Sequence, residues 1–394
     1  MRKIHAWVSA MLLISPWAGA ETSAQAKAIT QKNPKSIIRN TQTGVPRIEV
    51  LFVLDTTGSM GGLIEGAKLK IWSIANQMLR AKPTPKLRIG LLGYRDRGDA
   101  YITQFFDLSE DIDAIYAKLQ QFNADGGGDT PESVNQALQE AVTRPSWSQD
   151  QKVLKIVFLV GDAPPHMNYQ NDIKYPVSCR MAVQRDLIIN AIQCGQMAET
   201  TPFWQEIASL SGGSYMSIGQ TGDMQAISTP MDSELAKLNV EVGRTIVAYG
   251  AEPERREVLR KQAVAEAAAP STPSVVADRL AFNQASGSVV QGGGDLLDGL
   301  ISGKVKLDRL DSKKLPQEMQ TLSPDARKAY LKTKRVERDK VQARISDLSK
   351  KRQAFIDAEN KKRASAGKGE AFDLKVAEAI REQAKRKGIK YESK

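Results

Sequence analysis

Val50-Leu51-Phe52-Val53-Leu54-Asp55-Thr56-Thr57-Gly58-Ser59 is the stretch on which the reading of this chain turns. Five consecutive apolar residues leave no polar face, so the run reads as a central strand buried on both sides, the kind found in sheets covered by helices. It stops at a carboxylate, followed by hydroxyls two and four positions on and by a glycine that relaxes the backbone. In a doubly wound sheet the carboxyl ends of the strands form the ligand crevice. Asp55, Thr57 and Ser59 therefore stand where oxygen ligands could converge on a hard cation such as Mg2+. Taken alone, the same residue types also read as plain helix caps.

Outward from this stretch, strand and helix signals alternate. Leu63, Ala67, Ile71, Ile74, Ala75 and Met78 fall at helical spacing until Pro83 and Pro85. Residues 87–94 and 101–106 read as strands, and the short Arg97-Gly98-Asp99 link between them suits an antiparallel hairpin. That triplet looks like an integrin-recognition sequence, but Gly and Asp favour turns and a turn is the expectation. Residues 112–122 and 131–142 read as helices around a Gly126-Gly127-Gly128 loop, and 153–160 as a second fully apolar strand. Helices and strands continue to residue 248. The pattern predicts an α/β fold with a doubly wound, mostly parallel sheet, Rossmann-like in plan.

Two further loops supply oxygens. Asp129-Thr130-Pro131-Glu132 puts a hydroxyl after the glycine loop, and Asp162 follows the second apolar strand. With these residues in view, the chain resembles a von Willebrand factor type A (VWA) domain with a metal-ion-dependent adhesion site. That family carries Asp-x-Ser-x-Ser after the first strand, a Thr from a second loop and an Asp from a third. Asp55, Thr57, Ser59, Thr130 and Asp162 match in order over residues 46–248, with Thr57 replacing a Ser and keeping the hydroxyl. The resemblance implies that these five residues hold Mg2+, with Mn2+ or Ca2+ as alternatives. It also implies that an open coordination position accepts an acidic side chain from a protein partner. Asp129 reads as a capping residue in preference to a second layer around the ion. Arg95 and Asp96 are expected at the same edge, as rim residues or a surface ion pair. His166 reads as a rim group or, more plainly, a solvated loop histidine.

Composition fits an ordinary soluble protein: 394 residues, 41% hydrophobic and 26% charged. Two histidines and two cysteines exclude zinc fingers, His-pair metalloproteases and multi-Cys clusters. Arg2 and Lys3, an apolar run over residues 7–14 and Ala18-Gly19-Ala20 have the anatomy of a secretory signal cleaved after Ala20. A secreted or periplasmic protein with no later membrane segment is expected. Export makes a disulfide between Cys179 and Cys194 a reasonable expectation.

Residues 21–45 read as a flexible leader, 46–250 as the VWA domain, 251–303 as a helix and Pro/Gly/Ser-rich linker, and 304–394 as a basic, mainly α-helical extension. Residues 1–250 balance 24 basic against 24 acidic side chains, whereas 251–394 hold 32 against 21, so the whole net charge of +11 lies there. Such a region reads first as a solvated spacer or a helix that docks a partner, next as a surface for an anionic envelope component, and last as a binder of sequence-specific nucleic acid. Val341, Ile345, Leu348 and Phe355 form a coiled-coil-like apolar stripe that could seat a partner helix, interrupted at Arg352.

Enzyme signatures do not emerge. Thr57 precedes Ser59 where Gly-x-Ser-x-Gly needs Gly, and Ala67 stands where a phosphate-binding loop needs Lys. The expected function is metal-dependent protein binding without catalysis. An envelope scaffold acting through the basic helices is the alternative, and a metal-assisted hydrolase is less favoured.

Overall fold

The computed structural model of the chain describes residues 44–222, 224, 226–365 and 372–391. The signal-peptide expectation and nearly all of the leader lie outside these residues. In chain order the elements are β1 (Arg47–Asp55), α1 (Gly61–Leu79), β2 (Ala81–Lys82), β3 (Lys86–Tyr94), β4 (Thr103–Ser109), α2 (Ile112–Leu119), α3 (Val134–Thr143), β5 (Leu154–Gly161), α4 (Tyr175–Gln184), β6 (Leu187–Cys194), α5 (Thr201–Leu210) and β7 (Tyr215–Ile218). There follow α6 (Asp232–Gly243), α7 (Glu252–Ala268), α8 (Pro273–Ser286), α9 (Leu296–Ile301), α10 (Gln317–Gln320), α11 (Pro324–Ser365), α12 (Phe372–Lys385) and β8 (Lys390–Tyr391).

Six strands form one sheet in the order β4-β3-β1-β5-β6-β7. All neighbours are parallel except β3 and β4, the expected hairpin. The sheet is doubly wound and mostly parallel, as the sequence predicts. Because side chains alternate along a strand, β1 feeds two cores. Val50, Phe52 and Leu54 join Ile71 and Ile74 of α1 and Ile115 of α2 on one face. Leu51 and Val53 join Leu138 of α3, Ala182 of α4 and Trp204 of α5 on the other.

The same alternation decides the cysteines. On β6, Ile192 and Cys194 belong to the first face, while Cys179 on α4 is buried in the second. Both are free thiols, so the expected disulfide is not formed. Each packs as a small hydrophobe with its titration pushed up by burial, Cys179 to about 12.

Beyond residue 250 the chain folds back onto the sheet unit. The stretch expected as linker holds α8, with Pro273 in its first turn and Thr272 at the cap position. Its Val275 and Phe282 reach the first core, where Phe282 meets Trp72 of α1 at 5.4 Å. α12 completes that core with Phe372, Val376, Ala379, Ile380 and Ala384. Lys70 of α1 donates to Asp373 at 3.1 Å, and Gln383 exchanges amide hydrogen bonds with Asn190 of β6. β8 pairs antiparallel with β2.

The apolar stripe of α11 does not await a partner helix. Ile345, with Val341 and Leu348, packs against Leu235 and Leu238 of α6 and Leu280 of α8. The stripe is extended by buried arginines rather than broken by them. Arg338 donates to Asp295, Asp298 and Thr245, and Arg352 to Asp232, Asp278 and the Ser274 carbonyl. Removing one partner of such a buried set leaves uncompensated charge. Arg338→Ala is therefore expected to cost about 3–5 kcal/mol, read as a lowered urea midpoint, whereas Lys340→Ala on the exposed face should cost under about 0.5 kcal/mol.

Candidate functional site

β1 and β5 lie side by side in parallel, with Leu54 level with Val160. The chain leaves β1 toward β3 on one side and returns to β5 on the other, so the strand order reverses between them. That is where an open α/β sheet forms its crevice. Asp55 ends β1 and Asp162 follows β5, and both carboxylates arrive at this edge.

Asp55 is fully buried. Its Oδ1 accepts from the Thr57 amide at 2.9 Å and the Thr57 hydroxyl at 2.6 Å, and Thr57 Oγ1 lies 3.4 Å from Ser59 Oγ. Gln220, beyond β7, donates its amide to Asp162 Oδ2 at 2.7 Å and to the Ser59 carbonyl at 3.2 Å. Asp55, Thr57, Ser59 and Asp162 are thus brought into one constellation. Asp55 Oδ2 is buried without a hydrogen-bond donor. The close approach depends on Gly161, where a Cβ would overlap the Tyr94 hydroxyl and meet Asp55 Oδ2 at 3.1 Å.

The glycine-rich loop lies against the first. Gly58 N–H donates to the Gly126 carbonyl and Asp125 N–H to the Thr56 carbonyl. A Cβ on Gly127 would crowd Thr57 at 3.1 Å, so the glycine is needed there. Thr130 is exposed on this loop. Two residues on, Glu132 is buried, its Oε2 has no donor, and its neighbours include the charges of Asp55, Asp96, Asp99 and Asp162. Sequence reasoning missed Glu132 because residues 131–142 read as helix. The helix starts only at Val134, with Ser133 at its cap position, and residue 132 bridges to Pro165 instead. The same late start means that Asp129 does not cap the helix.

Burial, followed by the Asp162 charge, outweighs the Thr57 hydrogen bonds and pushes Asp55 up to about 7. Burial, with the Asp55 charge next, pushes Glu132 up to about 9. Both carboxyls therefore hold their protons more tightly folded than unfolded. Their contribution to stability is complete below pH ~4 and is lost as pH rises through about 7 and then about 9. A divalent cation would favour the ionised forms and reverse this loss. In chelator the melting temperature is expected to fall between pH 5 and 9. The increment given by Mg2+ should be small at pH 5 and larger at pH 8.5, as thermal melts in each buffer would show.

The donor set fits a hard divalent cation. It offers carboxylates and hydroxyls only, and two of its buried carboxylate oxygens lack donors inside the protein. Asp55, Thr57, Ser59 and Asp162, joined by Glu132, could hold it, with Thr130 on the adjoining loop.

The flank is rigid. Arg95 is buried: it donates to the Thr56 and Asn123 carbonyls and lies 3.8 Å from the exposed carboxylate of Asp125, so it ties the loops together. Asp96 accepts from Ser133 and Tyr169 and lies 3.1 Å from His166 Nε2. His166 is buried and stacked on Tyr169 at 4.0 Å, not a solvated loop residue. Asp96, Asp129 and His166 each offer a ligand atom within 4.8 Å of the others. Arg97-Gly98-Asp99 is the expected turn, with Gly98 at φ 99° and the Asp99 carboxylate accepting from Gly127 N–H.

Fold and site together define a doubly wound α/β module with an oxygen-rich crevice at the carboxyl edge of its sheet. Residues 49–220 match the family described as von Willebrand factor A domain, and this part of the chain is a VWA domain, followed by a helical C-terminal region. Over 120 residues, 30% of this chain, the sequence is 32% identical to von Willebrand factor A domain-containing protein 7 of Homo sapiens and 33% identical to that of Mus musculus. The aligned part spans only 12% of each relative's length. Similar solved structures include the SpRpn10 VWA domain, with 16% identity, a TM-score of 0.35 and coverage of 46% of this chain and 92% of that one. Another is proximal thread matrix protein 1 from the mussel byssus with a zinc occupied MIDAS motif, with 16% identity, a TM-score of 0.34 and coverage of 44% and 42%.

Proposed function

We propose that the chain is an exported, cation-dependent protein-binding module that performs no catalysis. Asp55, Thr57, Ser59, Thr130 and Asp162, with Glu132 as a further carboxylate, would hold Mg2+, or Mn2+ or Ca2+ in its place. The bound ion supplies an electrophilic position that takes an acidic side chain of a partner protein. Hydroxyls supply neutral oxygens, while the carboxylates balance the ion's charge. The observation that carries this reading is the pair of buried, donorless oxygens, Asp55 Oδ2 and Glu132 Oε2, at the carboxyl edge of β1 and β5. Leaving buried acceptors unpaired costs about 1–3 kcal/mol or more each, a cost that a cation would offset.

The alternative, a polyanion-binding scaffold built on the basic helices, has less support. Arg338 and Arg352 are consumed by internal ion pairs, and Lys387 is paired with Asp186. Among the described residues no helix is long and apolar enough to cross a membrane. The test is calorimetric titration of a glutamate-bearing peptide into the protein in Mg2+ and in chelator. Saturable heat in Mg2+ alone is expected, and equal binding in both buffers would refute a cation-dependent site.

A further inference from the structure

Three loops bring a second set of ligand atoms together. Asp96 follows β3, Asp129 closes the glycine-rich loop and His166 stands on the loop after β5. Each offers one ligand atom within 4.8 Å of the other two. The set shares no residue with Asp55, Thr57, Ser59 and Asp162, and among the described residues no hydrogen bond joins the two groups.

Two of the three side chains are buried and held from behind. Asn135 donates to the His166 carbonyl and the His166 amide to the Glu132 carbonyl, which fixes the backbone. His166 Nδ1 lies 2.8 Å from Asn168 Oδ1, an atom that only accepts, so in the neutral ring Nδ1 carries the proton and Nε2 presents a lone pair. That lone pair faces Asp96 Oδ2 at 3.1 Å. Asp96 is braced in turn by the Ser133 hydroxyl on Oδ1 and the Tyr169 hydroxyl on Oδ2. Metal-binding histidines and carboxylates are ordinarily oriented in this way, by partners behind the ligating atoms. Asp129 is exposed and accepts no hydrogen bond among the described residues, so its carboxylate can turn inward.

The charges select the occupant. A lone pair set against a carboxylate repels it unless something positive lies between them. A second ring proton would still leave one negative charge of Asp96 and Asp129 unbalanced, and the guanidinium over Tyr169, that of Arg97, is paired with Asp172. A divalent cation balances both carboxylates and keeps the imidazole neutral. Two ligands at about 2.0–2.1 Å from one tetrahedral ion stand about 3.3 Å apart, close to the 3.1 Å between Nε2 and Oδ2. One imidazole nitrogen with two carboxylates suits Zn2+ better than Mg2+ or Ca2+, which prefer oxygen alone.

We propose that Asp96, Asp129 and His166 form a second metal site that takes Zn2+ and ties the loops after β3 and β5 to the glycine-rich loop. It is independent of the cation site at Asp55. Zn2+ binds such a mixed nitrogen and oxygen site more tightly than Mn2+ does.

The test is calorimetric titration of Zn2+, with Mg2+ in excess, into the untagged full chain carrying Asp55→Asn, which removes the first site. One saturable equivalent is expected. Adding Asp129→Ala, at an exposed side chain whose loss should leave the circular dichroism unchanged, should weaken Zn2+ binding at least tenfold. His166→Gln should do the same where it folds. Absence of saturable Zn2+ binding, or undiminished affinity in the folded Asp129→Ala chain, would each overturn the assignment. Mg2+ binding at the Asp55 site is read separately, in the wild-type chain, so the failure of one site is distinguishable from that of the other.

Discussion

A chain truncated after Ser365 is expected to lose cooperative unfolding, although the cut falls far beyond the VWA domain. The first core of the sheet is not closed by the helices within residues 49–220. Its remaining cover comes from Val275 and Phe282 of α8 and, more extensively, from α12, through Phe372, Val376, Ala379, Ile380 and Ala384, followed by Ile389. Phe372 packs against Phe52 in the central strand, with ring centroids 6.4 Å apart. A buried Phe replaced by Ala costs about 3–5 kcal/mol and a buried Ile about 2–5 kcal/mol. A domain's whole stability is about 5–15 kcal/mol, so losing the entire helix should exhaust it. The graded form of the prediction uses Phe372→Ala and Ile380→Ala, each lowering urea stability by these amounts with the baselines intact. Glu378→Ala, exposed on the same helix, serves as the small-effect comparison.

The second large effect concerns the cation. Asp55→Asn keeps the shape of the side chain but removes the charge at the centre of the site. Cation affinity is expected to fall at least about 100-fold, given that each factor of ten is worth about 1.4 kcal/mol and a carboxylate ligand supplies several. Binding of an acidic peptide should disappear with it. The same substitution removes a carboxylate whose burial and like-charged neighbours oppose ionisation. In chelator at pH 8.5, Asp55→Asn should therefore melt at the wild-type temperature or higher. A variant that lost both cation binding and chelator-state stability would instead indicate a damaged fold.

Much of this was legible because each feature sat in one local pattern. The Val50–Leu54 run could only be a strand buried on both faces. Asp55, Thr57, Ser59 and Asp162 follow strands directly, so their placement at one sheet edge follows from topology alone. Glu132 was hidden because its segment has helical composition, whereas the chain bends there, bridges residue 132 to Pro165 and begins its helix only at Val134. Arg352 looked like a break in an apolar stripe because a sequence does not show that Asp232 and Asp278 wait opposite it. The amphipathic spacing of α12 was readable, but its partner, the far side of α1 and the sheet, is a matter of tertiary packing. The cysteines failed for a similar reason. Chain order puts Cys179 and Cys194 near one another, but the sheet lies between them.

The most direct test of the central claim is an electron spin resonance titration of Mn2+ into the wild-type chain at pH 8, scoring the loss of the free-ion signal. One saturable site is expected, displaced by excess Mg2+ and missing in Asp55→Asn. A free-ion signal that rises from the first addition, as it does in buffer alone, would contradict a cation site at the carboxyl edge of β1 and β5.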